Sequence, residues 1–398
     1  MQKVSDRLNR LAESATLAMA RMSRELKESG KDVIALSLGE PDFNTPQFIK
    51  DAGKRAIDNN FTHYTPVAGL DDLRLSISKK FKRDNDLDFT KDQIVVSTGA
   101  KQSLANICLS LLNPEDEVLL PCPYWVSYSE IIKLAEGVPV EIPSSVEKNF
   151  KITAKQIENA ITEKTKMFMF SSPCNPSGSV YTEKELYDIS IVFKKYPNIF
   201  IVSDEIYEHI NFTNKHFSIG RIESIKNRVI TVNGVSKGYA MTGWRVGFIG
   251  APLWIAKACN KIQGQVTSAT CAIAQKATEE AMNADPKKTT TKMKETFLKR
   301  RNMMLNELNT ITGVKCNIPD GAFYIFPDIS YYFGKTDGKT TINNANDLCM
   351  YLLNSCYVAL VSGAPFGNPE CIRISYAASD KMLNEAVKRI KLQLSKLF

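Results

Sequence analysis

Short apolar, β-branched runs alternate with longer amphipathic stretches through the middle of this 398-residue chain. The runs are Ile94 to Ser97, Val118 to Leu120, Met167 to Phe170, Phe200 to Ser203 and Val229 to Val232. That order predicts an α/β fold, a mostly parallel sheet flanked by crossover helices. Clusters of turn-forming residues follow the runs: Thr98-Gly99-Ala100, Pro173 to Gly178, and Asn233 to Ser236. Ligands of open α/β sheets bind at the carboxyl ends of the strands, so these loops are the first candidates for a site.

From about Asp285 the pattern changes. A long charged helical stretch gives way to Ala322 to Phe326, a helix near Asp347, and strands at Val358 to Val361 and Cys371 to Ser375. These elements predict a smaller α+β lobe. The segment before Thr45 is too short to fold alone and is expected to pack on that lobe. The expected division is an N-terminal segment 1–45, a large cofactor-binding domain 46–284 and a small C-terminal domain 285–398.

Composition narrows the function classes. Apolar residues make up 43% and charged residues 24%, the balance of an ordinary globular protein. Basic residues exceed acidic ones by eight, but the lysines are scattered rather than blocked, so no nucleic-acid partner is expected. Nine cysteines without a paired Cys-x-x-Cys read as free thiols in a reducing compartment. The first thirty residues, with Lys3, Asp6, Glu13 and Glu25, lack the apolar block of a signal peptide, and no run is long enough to cross a bilayer. A cytoplasmic enzyme without a metal or a membrane partner is expected.

Four stretches carry candidate chemistry. Asn233-Gly-Val-Ser-Lys237-Gly-Tyr-Ala-Met-Thr-Gly-Trp-Arg245 surrounds a lysine with small residues and adds an arginine fork suited to phosphate. In Ile201-Val-Ser-Asp204-Glu-Ile-Tyr207 a carboxylate ends an apolar strand. It reads either as a turn cap, the commoner case, or as the partner of a buried cation, and Tyr207 as a core aromatic or a ring-oxygen donor. Ser171-Ser-Pro173-Cys-Asn175-Pro176-Ser-Gly178 is a proline-fixed turn in which either X-Pro bond is a candidate for cis, with the Asn175 amide available to a ligand. Val96-Ser-Thr98-Gly99-Ala100-Lys101 leads a strand through glycine into a helix from Ser103 to Leu112, where free amides and the helix dipole favour a phosphate. Trp125 offers a flat face for stacking or simply packs.

In this order, from Leu38-Gly39-Glu-Pro-Asp-Phe43 to Cys371-Ile-Arg373-Ile-Ser, these stretches resemble the fold type I pyridoxal-phosphate enzymes. The similarity is to class I aminotransferases of the bacterial aspartate aminotransferase branch and covers nearly the whole chain. It implies that Lys237 carries pyridoxal 5'-phosphate as a Schiff base, that Asp204 pairs with the pyridine nitrogen, and that Tyr207 and Asn175 hold the ring oxygen. Ser236, Arg245 and the turn Gly99, Ala100, Lys101 would bind the phosphate. Trp125 would stack on the ring, Arg373 would take the substrate α-carboxylate with Asn175 beside it, and the Gly39 backbone would close over it. Tyr64 would reach the phosphate of a second subunit, which implies a homodimer with shared sites.

The resemblance further implies transfer of an amino group between an amino acid, aspartate first, and 2-oxoglutarate or oxaloacetate. Lys101, Ser14 and Thr16 are candidates for the second carboxylate. Branch members that use prephenate typically read Lys-Pro-Ser where this chain reads Ala12-Glu13-Ser14, so an attractive ammonium is lost, the Glu13 charge is expected to repel a bound carboxylate, and poor prephenate use is expected. Rival readings are a β-lyase on the same scaffold and a cofactor-binding regulator without catalysis.

Overall fold

The computed structural model describes residues 4–213 and 215–398; Lys3 and the start of the 1–45 segment lie outside them. Its main sheet has seven strands. These are β2 (Ile94–Ser97), β3 (Glu117–Pro121), β4 (Val138–Ile142), β5 (Thr165–Ser171), β6 (Phe200–Asp204), β7 (Val229–Gly234) and β8 (Gly247–Gly250), preceded in the chain by the short β1 (Ile34–Ala35). The order across the sheet is β2-β8-β7-β6-β5-β3-β4. All neighbours are parallel except β8, which runs antiparallel to both β7 and β2.

All five predicted runs are strands. β5, β6 and β7 are almost wholly buried, as continuous apolar runs with helices on both faces should be. Two strands of this seven-stranded sheet lie outside the sequence expectation. β4 reads Val-Pro-Val-Glu-Ile and sits at the sheet edge, where a proline costs no ladder bond. β8 reads Gly-Phe-Ile-Gly because its neighbours come too close for side chains: a Cβ at Gly247 would overlap the Ala100 amide, and one at Gly250 would overlap the Phe89 ring. The helix placed at Ser103 to Leu112 begins earlier and spans Ala100–Leu111.

The flanking helices carry their start signals in sequence. Thr182 and Glu185 form a reciprocal capping box before the helix Glu183–Lys195, as do Thr153 and Gln156 before Ala154–Ala160. Asp285 caps the long helix Pro286–Leu308, with proline at its first position.

Beyond that helix the remaining strands are β9 (Tyr324–Ile325), β10 (Val358–Ala359), β11 (Val361–Ser362) and β12 (Ile372–Ser375). They form the sheet β11-β12-β9 and the pair β1-β10. β1, from the N-terminal segment, pairs parallel to β10. One core joins Ile34 and Leu36 to Phe297, Phe323, Leu352 and Ile390. The first residues go elsewhere: Ala12 N donates to Glu130 Oε2 (2.7 Å) on the helix Ser127–Leu134. Among the described residues no helix is long and apolar enough to cross a membrane.

Candidate active site

The carboxyl ends of β5, β6 and β7 open into a cavity of about 390 Å³, a size suited to a small cofactor with its substrate. Gly39, Ala100, Lys101, Trp125, Asn175, Asp204, Tyr207, Ser236, Lys237, Arg245 and Arg373 all line it, and so do Ser14 and Thr16. Of the expected residues, Gly99 lies just behind the wall. Tyr64 stands outside the cavity and is fully exposed.

Lys237 follows β7, and its Nζ donates to the Gly39 carbonyl at 2.5 Å. Burial pushes its pKa down to about 8, and the Arg373 and Arg245 charges push the same way. Asp204, the last residue of β6, is buried; desolvation raises its carboxyl to about 6, although Tyr128 Oη donates to Oδ2 (2.7 Å) and the Ile206 amide to Oδ1 (3.2 Å). Both sequence readings of Asp204 therefore have a physical basis, since the residue caps its own turn and also presents a buried anion. Tyr207 Oη shares a 2.7 Å hydrogen bond with Tyr324 Oη.

Arg373 enters from β12 and is 1% exposed. Its Nη1 donates to Asn175 Oδ1 (3.0 Å), its Nη2 to the Ser37 carbonyl (2.5 Å) and Thr16 Oγ1 (3.3 Å), and its Nε has no partner. A buried guanidinium so poorly matched by neutral acceptors is a site for a carboxylate. The peptide bonds before Pro173 and Pro176 are both cis, as is that before Pro123.

The phosphate side follows from the glycine turn. Gly99 has φ +85°, and a Cβ there would overlap the Arg245 guanidinium. Ala100 and Lys101 open the following helix, so their amides have no intrahelical acceptor. Arg245, itself at φ 57°, donates Nη1 to the Thr242 carbonyl (2.8 Å). Lys101 Nζ lies 5.0 Å from the Trp125 ring, and burial with the Arg245 charge lowers its pKa. Glu13 does not face the cavity; its carboxylate pairs with Arg21 (2.9 Å) at the surface, which removes the repulsion expected of it.

Two neighbours of the site residues carry no local sequence signal. Tyr128 donates to Asp204 from the helix Ser127–Leu134. Tyr324 touches Tyr207 and underlies Gly39, where any Cβ would overlap its hydroxyl.

A buried carboxylate, a lysine of lowered pKa, a glycine turn beside Arg245 and an arginine with an unpartnered Nε meet around one cavity. The model of the family "Aminotransferase class I and II" matches residues 31–390, and the chain belongs to that family. It is 44% identical over 397 residues to the aspartate/prephenate aminotransferase of Nitrosomonas europaea, covering 99% of this chain and 100% of that one. It is 45% identical over 396 residues to the bifunctional aspartate aminotransferase and glutamate/aspartate-prephenate aminotransferase of Petunia hybrida, covering 98% and 82%. Among solved structures, the aspartate aminotransferase of Rhizobium meliloti superposes with TM-score 0.96 at 39% identity over 100% of both chains. The protein is an aminotransferase that uses pyridoxal phosphate, and the donor set described above fits that group.

Proposed function

We propose that Lys237 is the lysine that holds the cofactor and the base of the reaction. Asp204 is the partner of the ring nitrogen, and Tyr207 and Asn175 are the donors to the ring oxygen. The amides of Ala100 and Lys101, with Ser236 and Arg245, take the phosphate across the Gly99 turn, and Trp125 stacks on the ring. Pyridoxal phosphate, when bound, supplies an electron sink for the α-carbon of an amino acid.

The chain's own residues do the rest. Arg373 and Asn175 bind the substrate α-carboxylate under the Gly39 backbone and so fix which bond of the α-carbon faces Lys237. The Lys237 amine would take the α-proton and deliver it to the cofactor, and burial together with the Arg373 charge favours its neutral, basic form. The single observation that carries this reading is the meeting of Lys237, Asp204, Arg245 and Arg373 around one cavity.

Aspartate is the proposed donor, with 2-oxoglutarate or oxaloacetate as acceptor. The names of the relatives support it, as do Lys101 and Ser14 in the cavity wall, which suit a second carboxylate. Prephenate is proposed to be a poor substrate because Ala12 stands where an added ammonium would assist it. The fully exposed Tyr64 supports a homodimer in which this ring reaches the partner's phosphate site. The division into segment 1–45 and domains 46–284 and 285–398, and a cytoplasmic location, belong to the same reading.

Mixing the purified enzyme with a panel of amino acids and following the cofactor's visible absorption identifies the donors. Aspartate is expected to change the spectrum most efficiently, and pyruvate and ammonia released without an acceptor would indicate a lyase instead. Catalytic efficiency with prephenate is expected to be low in the parent and higher in Ala12→Lys/Glu13→Pro. Efficient use of prephenate by the parent would overturn that part.

A further inference from the structure

Residues Ser37 to Phe43 form a strap across the cavity, fastened at each end by an arginine. At one end Arg373 donates to the Ser37 carbonyl. At the other, Arg300 of the helix Pro286–Leu308 grips Asp42 with both terminal nitrogens, at 2.7 and 2.9 Å. Its Nε donates to Asp380 (3.0 Å), the first residue of the helix Asp380–Leu394, and its guanidinium lies 5.8 Å from the rings of both Phe43 and Phe297. Between these fastenings the strap reaches the other wall. The Gly39 carbonyl accepts from Lys237, and the Glu40 carboxylate accepts from the Thr242 hydroxyl.

The geometry leaves the strap little freedom. Beneath it Gly39 rests on Tyr324, with no room for a side chain. A two-pronged guanidinium–carboxylate contact fixes orientation as well as distance. Arg300 is nearly buried while Asp42 is 28% exposed, so the two aligned hydrogen bonds rather than charge alone set the hold. Arg373 is in the cavity and turns to a substrate carboxylate in the proposed reaction, which takes a donor away from Ser37. Arg300 is outside the cavity, and its hydrogen-bond partners Asp42 and Asp380 are both protein carboxylates that do not line it.

We propose that Arg300 is a positioning residue for Lys237: through Asp42 it holds the strap at the depth where the Gly39 carbonyl meets the lysine nitrogen. This rests on the reading of Lys237 as the cofactor-bearing lysine. A carbonyl oxygen at this distance favours a protonated nitrogen. Around Lys237, Arg373 and Arg245 disfavour its charge while Glu40 and Asp204 favour it, and the rings of Tyr207 and Phe323 lie 5.8 and 5.9 Å away. Of the groups that favour the charge, the Gly39 carbonyl and Glu40 ride on the strap. Loosening it therefore lowers the pKa.

The test is the pH dependence of Lys237 modification by an amine reagent in the full-length enzyme before cofactor loading, read by peptide mass spectrometry, which titrates the amine that meets Gly39. Asp42→Asn is expected to lower that midpoint by about half a unit to one unit, the worth of one weakened hydrogen bond. Arg300→Met should do the same, and Arg300→Lys should restore part of the shift. Asp380→Asn removes the other arm of Arg300 without touching the strap, so it should lower the unfolding midpoint and leave the titration in place. Amide exchange at residues 39–43 should quicken in Asp42→Asn and not in Asp380→Asn. A parental titration in folded Asp42→Asn, or an equal shift in Asp380→Asn, would overturn the proposal. Borohydride reduction and peptide mapping locate the cofactor linkage separately, so failure of the underlying reading is told apart from failure of this one.

Discussion

Lys80 and Lys237 both carry their ammonium groups into the protein beside buried carboxylates, and their surroundings differ in kind. Lys80, 1% exposed, meets Asn85 Oδ1 (2.5 Å) and the Glu208 carboxylate. Asn85 Nδ2 bridges to Glu208 (2.6 Å) and Glu205 (3.1 Å), while Glu205 also meets Ser203, Ser218 and His216. Burial would raise the Glu208 pKa, but Lys80, His209 and His216 outweigh it and hold the carboxyl at about 2. Glu208 there is paired with the Lys80 ammonium, and Glu205 with the His216 ring. Around Lys237, by contrast, Arg373 and Arg245 add positive charge, and the nearby Asp204 is answered by a phenol and an amide rather than by a cation.

Buried Glu208 is answered by an ammonium and buried Asp204 is not, and that difference in charge pairing separates a structural network from a candidate binding site. Glu205, Glu208 and His216 come close enough to suggest a metal site, yet the position between the carboxylates is filled by Lys80 and Asn85. The network involves the same turn that carries Asp204 and Tyr207, but none of Lys80, Asn85, Glu205 and Glu208 lines the cavity.

The comparison is broken most severely at the two lysines. Lys237→Ala is expected to reduce turnover by ~10⁴-fold or more while leaving unfolding free energy unchanged or raised, because a desolvated cation is lost. Lys80→Met should do the reverse. It strands buried Glu208 without its cation, at a cost of about 3–5 kcal/mol in chemical denaturation, with turnover per folded molecule close to the parent. A stable but inactive Lys80→Met protein would erase the distinction between the two regions.

Asp204 sharpens the contrast through pH. Its folded pKa of about 6 lies above the unfolded value of ~3.9, so the protonated form contributes stability that is complete below about pH 4 and is lost as pH rises through 6. In the cofactor-free protein, Asp204→Asn is therefore expected to be stabilising at pH 8 by up to about 3 kcal/mol and nearly neutral at pH 4. The same substitution should cut turnover severely. Denaturation of both proteins at the two pH values checks the sign, and a loss of stability at pH 8 would show that Asp204 is already paired. The smallest expected effect is at Tyr324→Phe, which removes one hydrogen bond from Tyr207 and should cost about 1 kcal/mol, with a change in turnover of only a few fold.

The parallel strands were legible because burial on both faces leaves an uninterrupted apolar run, and the loops after them marked the site. β4 and β8 were not, since an edge proline and two glycines forced by close neighbours hide the strand signal. The same division holds within the site. Lys237, Asp204, Arg245 and Arg373 stand in local motifs, whereas Tyr128, Tyr324, Arg300 and the Lys80 network act through contacts between distant segments, and no local spacing announces them. Glu13 shows the converse error, where adjacency in sequence suggested a charge in the cavity and the side chain turned to Arg21 instead.

The central claim is that Lys237, and not the more deeply buried Lys80, is the reactive amine. Borohydride reduction of the cofactor-loaded enzyme, followed by digestion and mass spectrometry, tests it directly. A single modified peptide carrying the cofactor on Lys237 is expected; modification of Lys80 or any other lysine in its place would contradict the account.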